Sequence, residues 1–306
     1  MRTQTNAPGK RERTIGQGVD MPARQVNSFD HREFQVVVAQ NDDGSFVAIG
    51  RDKDRKELAR LTADSQDAVT NEIKTALNAK SNDFVDINGA INLFRKPFPE
   101  DFSDPFFRHH EGDYKENARL FIIEHLGKDV LETLLSAKSF EQISVNALRC
   151  VQKTNLPSPF EKTKLNGFLS KEKNHEPFSN ALYDLLYGND FDNALKSMAK
   201  ILAPDDAAKW PIITYWPFFC LPDHHMYMKP EIVQNTAYRL GFELSYESYP
   251  NPQSYKSLLE LTYFIRDGIA AMKPSSNIDI QSFMYVVAKD NYVAEAIECR
   301  KIWEGN

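Results

Sequence analysis

The spacing of apolar residues changes character along the chain. FQVVVAQ (34–40) and SFVAIG (45–50) are apolar, β-branched runs on either side of Asn41-Asp42-Asp43-Gly44, which predicts a β-hairpin. RDKDRKELARLTA is charged and supplies a third, exposed strand around Glu57 to Leu61. In SQDAVTNEIKTALNA the period becomes helical: Val69, Ile73 and Leu77 recur on one face behind Ser65 as N-cap. FVDINGAINLF, with Val85, Ile87 and Ile91 and a turn at Asn88-Gly89, reads as a returning strand. Together these elements predict a small α+β module over residues 33–95. RKPFPEDFSDPFFRHHEGDY is rich in proline and phenylalanine and reads as a linker over 96–112, packed through Phe98, Phe102, Phe106 and Phe107.

From residue 113 to 306 the pattern is helical. YKENARLFIIEHLG places Ala118, Phe121, Ile122 and Leu126 on one face and ends at Gly127, a C-cap signal. FEKTKLNGFLS, EPFSNALYDLLYG and FDNALKSMAKILA follow. KPEIVQNTAYRLG opens on Pro230 and closes on Gly241, the usual asymmetry of helix ends. SYKSLLELTYFIRDGIAAM predicts the longest helix, and the Phe283, Val286, Val287 spacing favours helix in DIQSFMYVVA. WPIITYWPFFCLPDHHMYMKP (210–230) concentrates two tryptophans and four prolines and reads as an irregular, packed connector. The expected class is α+β, mainly α: a small N-terminal β-hairpin/helix module followed by a larger helical domain.

Composition narrows this picture. The chain has 306 residues, 42% of them hydrophobic, enough for a substantial core. Residues 1–32 are polar, with Gly9, Gly16 and Gly18, and read as a flexible arm without a signal-peptide core. Lys10, Arg11, Arg13 and Arg24 would suit an acidic partner, against the opposing Glu12 and Asp20. The net charge of −6 gives no global support to nucleic-acid binding. Three scattered cysteines, Cys150, Cys220 and Cys299, without a CxxC, read as reduced thiols of a cytoplasmic protein. No run reaches the roughly 20 apolar residues of a membrane span.

Candidate chemistry centres on two adjacent histidine pairs, His109-His110 and His224-His225, each beside an acid. A metal hydrolase needs three or four converging ligands, and neighbouring residues point apart, so no metal is expected there. Lys229 and Pro230 open a helix whose N-terminus, with His224 and His225, suits a phosphate or carboxylate. Tyr238, Tyr246, Tyr249 and Tyr255 read as one loop whose rings can stack on a ligand, and Tyr227 is a further ligand-binding candidate. Arg108, Lys115 and Arg119 offer a basic patch, although Glu111, Asp113 and Glu116 interleave and favour a solvated face. No GxGxxG, GxxxxGK[ST], GxSxG or kinase motif occurs, so no cofactor is expected.

The run from HMYMKP through the Tyr-Pro-Asn segment to DIQSFMYVV, about the last third of the chain, resembles a set of uncharacterised bacterial helical proteins. The resemblance implies a bacterial, cytoplasmic setting and no particular activity. The expected function is an intracellular binding or adaptor protein, regulatory or defence-associated, for an anionic ligand, nucleic acid or protein partner. Its surface would comprise Arg108, His109, His110, His224, His225, Tyr227, Lys229 and Tyr249. The alternative is a metal-dependent hydrolase or nuclease using His and Asp/Glu.

Overall fold

The computed structural model describes residues 24–81, 83–289 and 291–305. It is an α+β, mainly α structure in which two compact units divide between residues 81 and 82. Of the arm expected over residues 1–32, residues 1–23 lie outside the described residues.

The first unit is a four-stranded antiparallel meander, β1 (Arg24–His31), β2 (Phe34–Gln40), β3 (Phe46–Arg51) and β4 (Glu57–Ala63), followed by helix α1 (Gln66–Asn78). The β2–β3 hairpin forms around Gly44 with φ of +86°, a backbone region natural to glycine. Alternate residues of β2, Val36 and Val38, meet Val69, Ile73 and Leu77 of α1 in the core, as period-2 and period-3.6 faces should. Ser65 caps α1 by accepting from the Ala68 amide. A Cβ on Gly50 would lie 2.6 Å from Leu77 Cδ2, so the close approach of α1 to β3 needs glycine there.

Strand β1 is a correction to the flexible-arm reading of residues 24–32. RQVNSFDH is mostly exposed, and an edge strand held by its backbone ladder need not show apolar alternation. Its turn to β2 has Arg32 at φ of +56° in place of the glycine or asparagine that usually signals such a turn.

The second unit is helical. Its first helix, α2 (Ile87–Arg95), replaces the strand expected there. Asp86 caps it by accepting from Gly89 N at 2.6 Å, so Asn88-Gly89 forms a first turn of helix. The buried pair Ala90 and Phe94 follows the helical period, which overrides the short Val85/Ile87 alternation. These residues join the helical core, so α2 belongs with the second unit and the module ends before residue 95. The expected linker is also structured. Phe98, Phe102, Phe106 and Phe107 are buried around Phe94, with ring centroids 5.0–5.7 Å apart.

The short helix α3 (Pro105–Phe107) runs through a π-turn (Arg108–Gly112) into α4 (Asp113–Leu126). Then come α5 (Lys128–Ser136), α6 (Phe140–Val151), α7 (Pro159–Leu169), α8 (His175–Tyr187) and α9 (Phe191–Leu202). Residues 210–220 are not an irregular connector. They form α10 (Trp210–Ile213) and α11 (Tyr215–Cys220), both almost wholly buried. Trp210 Nε1 donates to Glu247 O at 2.9 Å and Tyr215 OH to Cys150 O at 2.9 Å. Burying these rings satisfies their polar tips as well. The remaining helices are α12 (Pro230–Leu240), α13 (Pro252–Gly268), α14 (Asn277–Ala288) and α15 (Tyr292–Glu304). Gly241 closes α12 at φ of +69°, the left-handed C-cap. Among the described residues no helix is long and apolar enough to cross a membrane.

Candidate functional site

The π-turn begins the site. Asp104 caps α3 through Phe106 N and Phe107 N and is itself held by Arg300 Nη1 of α15 at 2.9 Å. A π-turn carries one residue more than an α-helical turn and is often found at functional sites. Glu111 ends the turn and Lys115 follows on α4, and their side chains meet at 2.9 Å. Lys115 is 1% exposed and also donates to Ser282 Oγ of α14 at 2.7 Å. Tyr292 OH of α15 donates to Glu111 Oε1 at 2.5 Å. One buried ion pair therefore ties α4, α14 and α15 together. Here the solvated face expected of Glu111 and Lys115 is corrected. Burial pushes the Glu111 carboxyl up, but the Lys115 ammonium and the Tyr292 hydrogen bond more than offset it, leaving it below its ordinary value. Burial, then the Glu111 carboxylate, raises the Tyr292 phenol.

This network borders a cavity of about 540 Å³, within the range of small-molecule sites. Tyr114, Tyr227, Tyr285 and Tyr292 supply its rings, with Tyr285 and Tyr292 edge to face at 5.2 Å. Lys115, Lys229 and Lys289 face it alongside Glu111, Glu231 and Glu295. Two helix starts meet there. Ser158 and Pro159 open α7, and Lys229 to Ile232 open α12. The α7 end is closed by its own capping box with Glu161, whereas no side chain caps α12.

Two wall residues carry unmet polar atoms. Tyr227 is 2% exposed and Gln281 4% exposed, and neither the Tyr227 hydroxyl nor the Gln281 Oε1 has a hydrogen-bond partner. Leaving such a group unpaired in a dry interior costs roughly 1–3 kcal/mol, and buried polar groups are normally paired. Burial, then Glu161, raises the Tyr227 phenol far above its ordinary value, so it stays a neutral hydroxyl able to donate and accept.

Of the residues singled out in the sequence, His110, Tyr227 and Lys229 line this one cavity. His110 stacks on Phe106 at 5.0 Å. Lys229 reaches Glu161 at 3.5 Å. The others lie elsewhere. His225 does not join Lys229 at the start of α12. Its ring packs 4.5 Å from Phe191, and its Nδ1 lies 3.1 Å from Tyr255 OH. His224 is exposed. His109 is exposed and stacks with Trp303 at 6.1 Å. Arg108 pairs with Asp113 on the surface, and Tyr249 is exposed. Lys115, weighed in sequence as part of a basic patch, and Glu111, noted as the acid beside His109-His110, also line the cavity, whereas Gln281, Tyr285 and Tyr292 carried no site signal in sequence. The i,i+4 spacing of Glu111 and Lys115 is the local signal of their pairing.

Among the described residues no three His, Cys, Asp or Glu side chains group as metal ligands. Cys150 is buried, Cys220 half-buried and Cys299 exposed, all as free thiols. Burial pushes the Cys220 thiol up to about 12. Comparison of the chain with family models, curated proteins and solved structures finds no match.

Proposed function

We propose that the helical unit is a binding module that holds a small anionic molecule in the cavity between α4, α12, α14 and α15. The observation that carries this reading is the pair of unmet buried atoms, Tyr227 OH and Gln281 Oε1, in the wall of a roomy polar cavity. Their desolvation is uncompensated within the protein, and a ligand supplying a donor and an acceptor removes that cost. The anionic character rests on Lys229 and the uncapped start of α12, where first-turn amides lack intrahelical partners and the dipole is positive. The buried Glu111–Lys115 pair keeps the wall rigid, which lowers the entropy lost on binding. The resemblance of the last third to bacterial helical proteins and the three unpaired cysteines support a bacterial, cytoplasmic regulatory role. A metal-dependent hydrolase has no converging ligand set among the described residues to support it.

Thermal shift of the full chain against nucleotides, nucleosides, phosphorylated sugars, amino acids and dicarboxylates tests the proposal. The expected hit raises the melting temperature, does so more at low salt, and loses its effect in Tyr227→Phe and Lys229→Ala. A panel with no hit, or hits that both variants retain, overturns it.

A further inference from the structure

The cavity is not uniform. Its lining combines two kinds of chemistry, and the combination restricts what can fill it. One set of lining groups is Lys229, the open first turn of α12 and the unmet Tyr227 hydroxyl. Each offers an N–H or O–H donor, and an oxyanion accepts several such bonds at once. The second set is aromatic, Tyr285, Tyr292 and Tyr114, with Gln281 carrying an unmet carbonyl acceptor in the same lining. Aromatic walls favour a flat partner, because stacking is a face-to-ring contact. The buried carbonyl selects a partner with an N–H or NH₂ donor on its edge.

Charge sets a further limit. Three lysines line the cavity, but so do Glu111, Glu231 and Glu295. Lys115 is already committed to Glu111, and Lys289 to Glu231 at 2.6 Å. Lys229 has the loosest hold on its partner among the three, at 3.5 Å. One cation and one helix start suit a single anionic group, because Glu231, itself in the first turn of α12, and Glu295 share the lining and repel further negative charge.

We infer that the occupant is a nucleoside monophosphate unit: a flat heterocycle with a donor edge against Gln281 and one phosphoryl group at the start of α12. The inference rests on the cavity being a ligand site, as proposed above. The same unit can come from a free mononucleotide or from a base extruded from a nucleic-acid strand, as base-flipping proteins hold it.

Isothermal titration of the full chain tests it with the common nucleoside monophosphates, their nucleosides, ribose phosphate, the triphosphates, a short single strand and a duplex. At least one monophosphate should bind, with its nucleoside, its triphosphate and ribose phosphate each weaker by about tenfold or more. Lys229→Ala should erase the advantage of monophosphate over nucleoside. Gln281→Leu should erase discrimination among bases while keeping that advantage. If Gln281→Leu fails to fold, Tyr285→Ala serves as the ring-side variant, lowering affinity for the monophosphate but not for ribose phosphate. A preference for the free monophosphate marks a metabolite and a preference for the single strand marks an extruded base, and each supports the inference. Ribose phosphate binding as tightly as any monophosphate, or a triphosphate binding more tightly, overturns the inference. The cavity reading survives that result if Tyr227→Phe still weakens binding. No binding by any probe in either panel overturns both.

Discussion

A few residues apart on the same segment, His225 and Lys229 meet opposite surroundings. Around His225 the protein satisfies itself. Phe191 packs against both His225 and Tyr255, and the Tyr255 hydroxyl lies 3.1 Å from His225 Nδ1 and 3.2 Å from Met226 N. The adjoining hollow, about 300 Å³, has no unmet buried polar atom among its lining residues. Around Lys229 the cavity is larger, and the Tyr227 hydroxyl and Gln281 carbonyl are left without partners. Both regions combine rings, a basic residue and a tyrosine hydroxyl, so residue type does not tell them apart. The hydrogen-bond inventory does: a polar cluster that completes its own bonds is packing, and one that leaves them open is built for something else.

The contrast can be broken most forcefully at the frame of the cavity. Glu111→Ala leaves the buried Lys115 ammonium without its carboxylate and should cost about 3–5 kcal/mol, read by urea denaturation of the helical signal. Replacing both residues with leucine should recover most of the loss, because a buried pair is often no better than well-packed apolar residues. A loss below about 1 kcal/mol for the single change would show that the pair behaves as a solvated one and does not hold the cavity wall rigid.

Acid titration sharpens the other side. Burial, then the neighbouring His224, lowers the His225 imidazole from 6.5 to about 4, so the folded protein holds it neutral. Its contribution is complete above pH 6.5 and is lost as pH falls toward about 4. The loss is up to about 3 kcal/mol. Glu111, held below its ordinary value by Lys115 and Tyr292 against the opposing effect of burial, loses its contribution in the same direction at lower pH. The ring protons of His225 should stay unshifted by NMR above pH about 5, and His225→Phe should flatten the decline in stability. A His225 ring that titrates near 6.5 would mean that the Phe191 pocket is open to water.

The paired tyrosine variants test the comparison directly. Tyr255→Phe removes the partner of the buried Met226 amide and should cost about 1–3 kcal/mol. Tyr227→Phe removes a hydroxyl that has no partner, so stability should hold or rise by up to about 1 kcal/mol while ligand binding falls. Equal destabilisation by the two, measured by chemical denaturation, would erase the distinction between them. The smallest effect is expected from Lys229→Ala. Its ion pair with Glu161 is partly exposed, so stability should change by no more than about 0.5 kcal/mol. A larger loss in the thermal melt would make Lys229 a structural residue rather than a ligand donor.

The elements legible in the sequence were those whose causes are local. The 34–51 hairpin was written in its turn and β-branched flanks, α1 in Ser65 and the Val69, Ile73, Leu77 face, and α12 in Pro230 and Gly241. Each signal spans a few residues, the reach of a cap, a turn or a helical period. Strand β1 and helix α2 escaped. One is a polar edge held by its neighbour's backbone, and the other hides its period behind an Asn-Gly pair. Within the candidate site, His110, Lys115, Tyr227 and Lys229 were marked by residue type and local position, which marked His224 and His225 as strongly. Only the tertiary structure parted them. It buried Lys115 against Ser282, 167 residues away, and brought Tyr292 to Glu111 across 181. A polar side chain's burial and hydrogen-bond partners depend on what distant helices bring beside it, and no window along the chain contains that information.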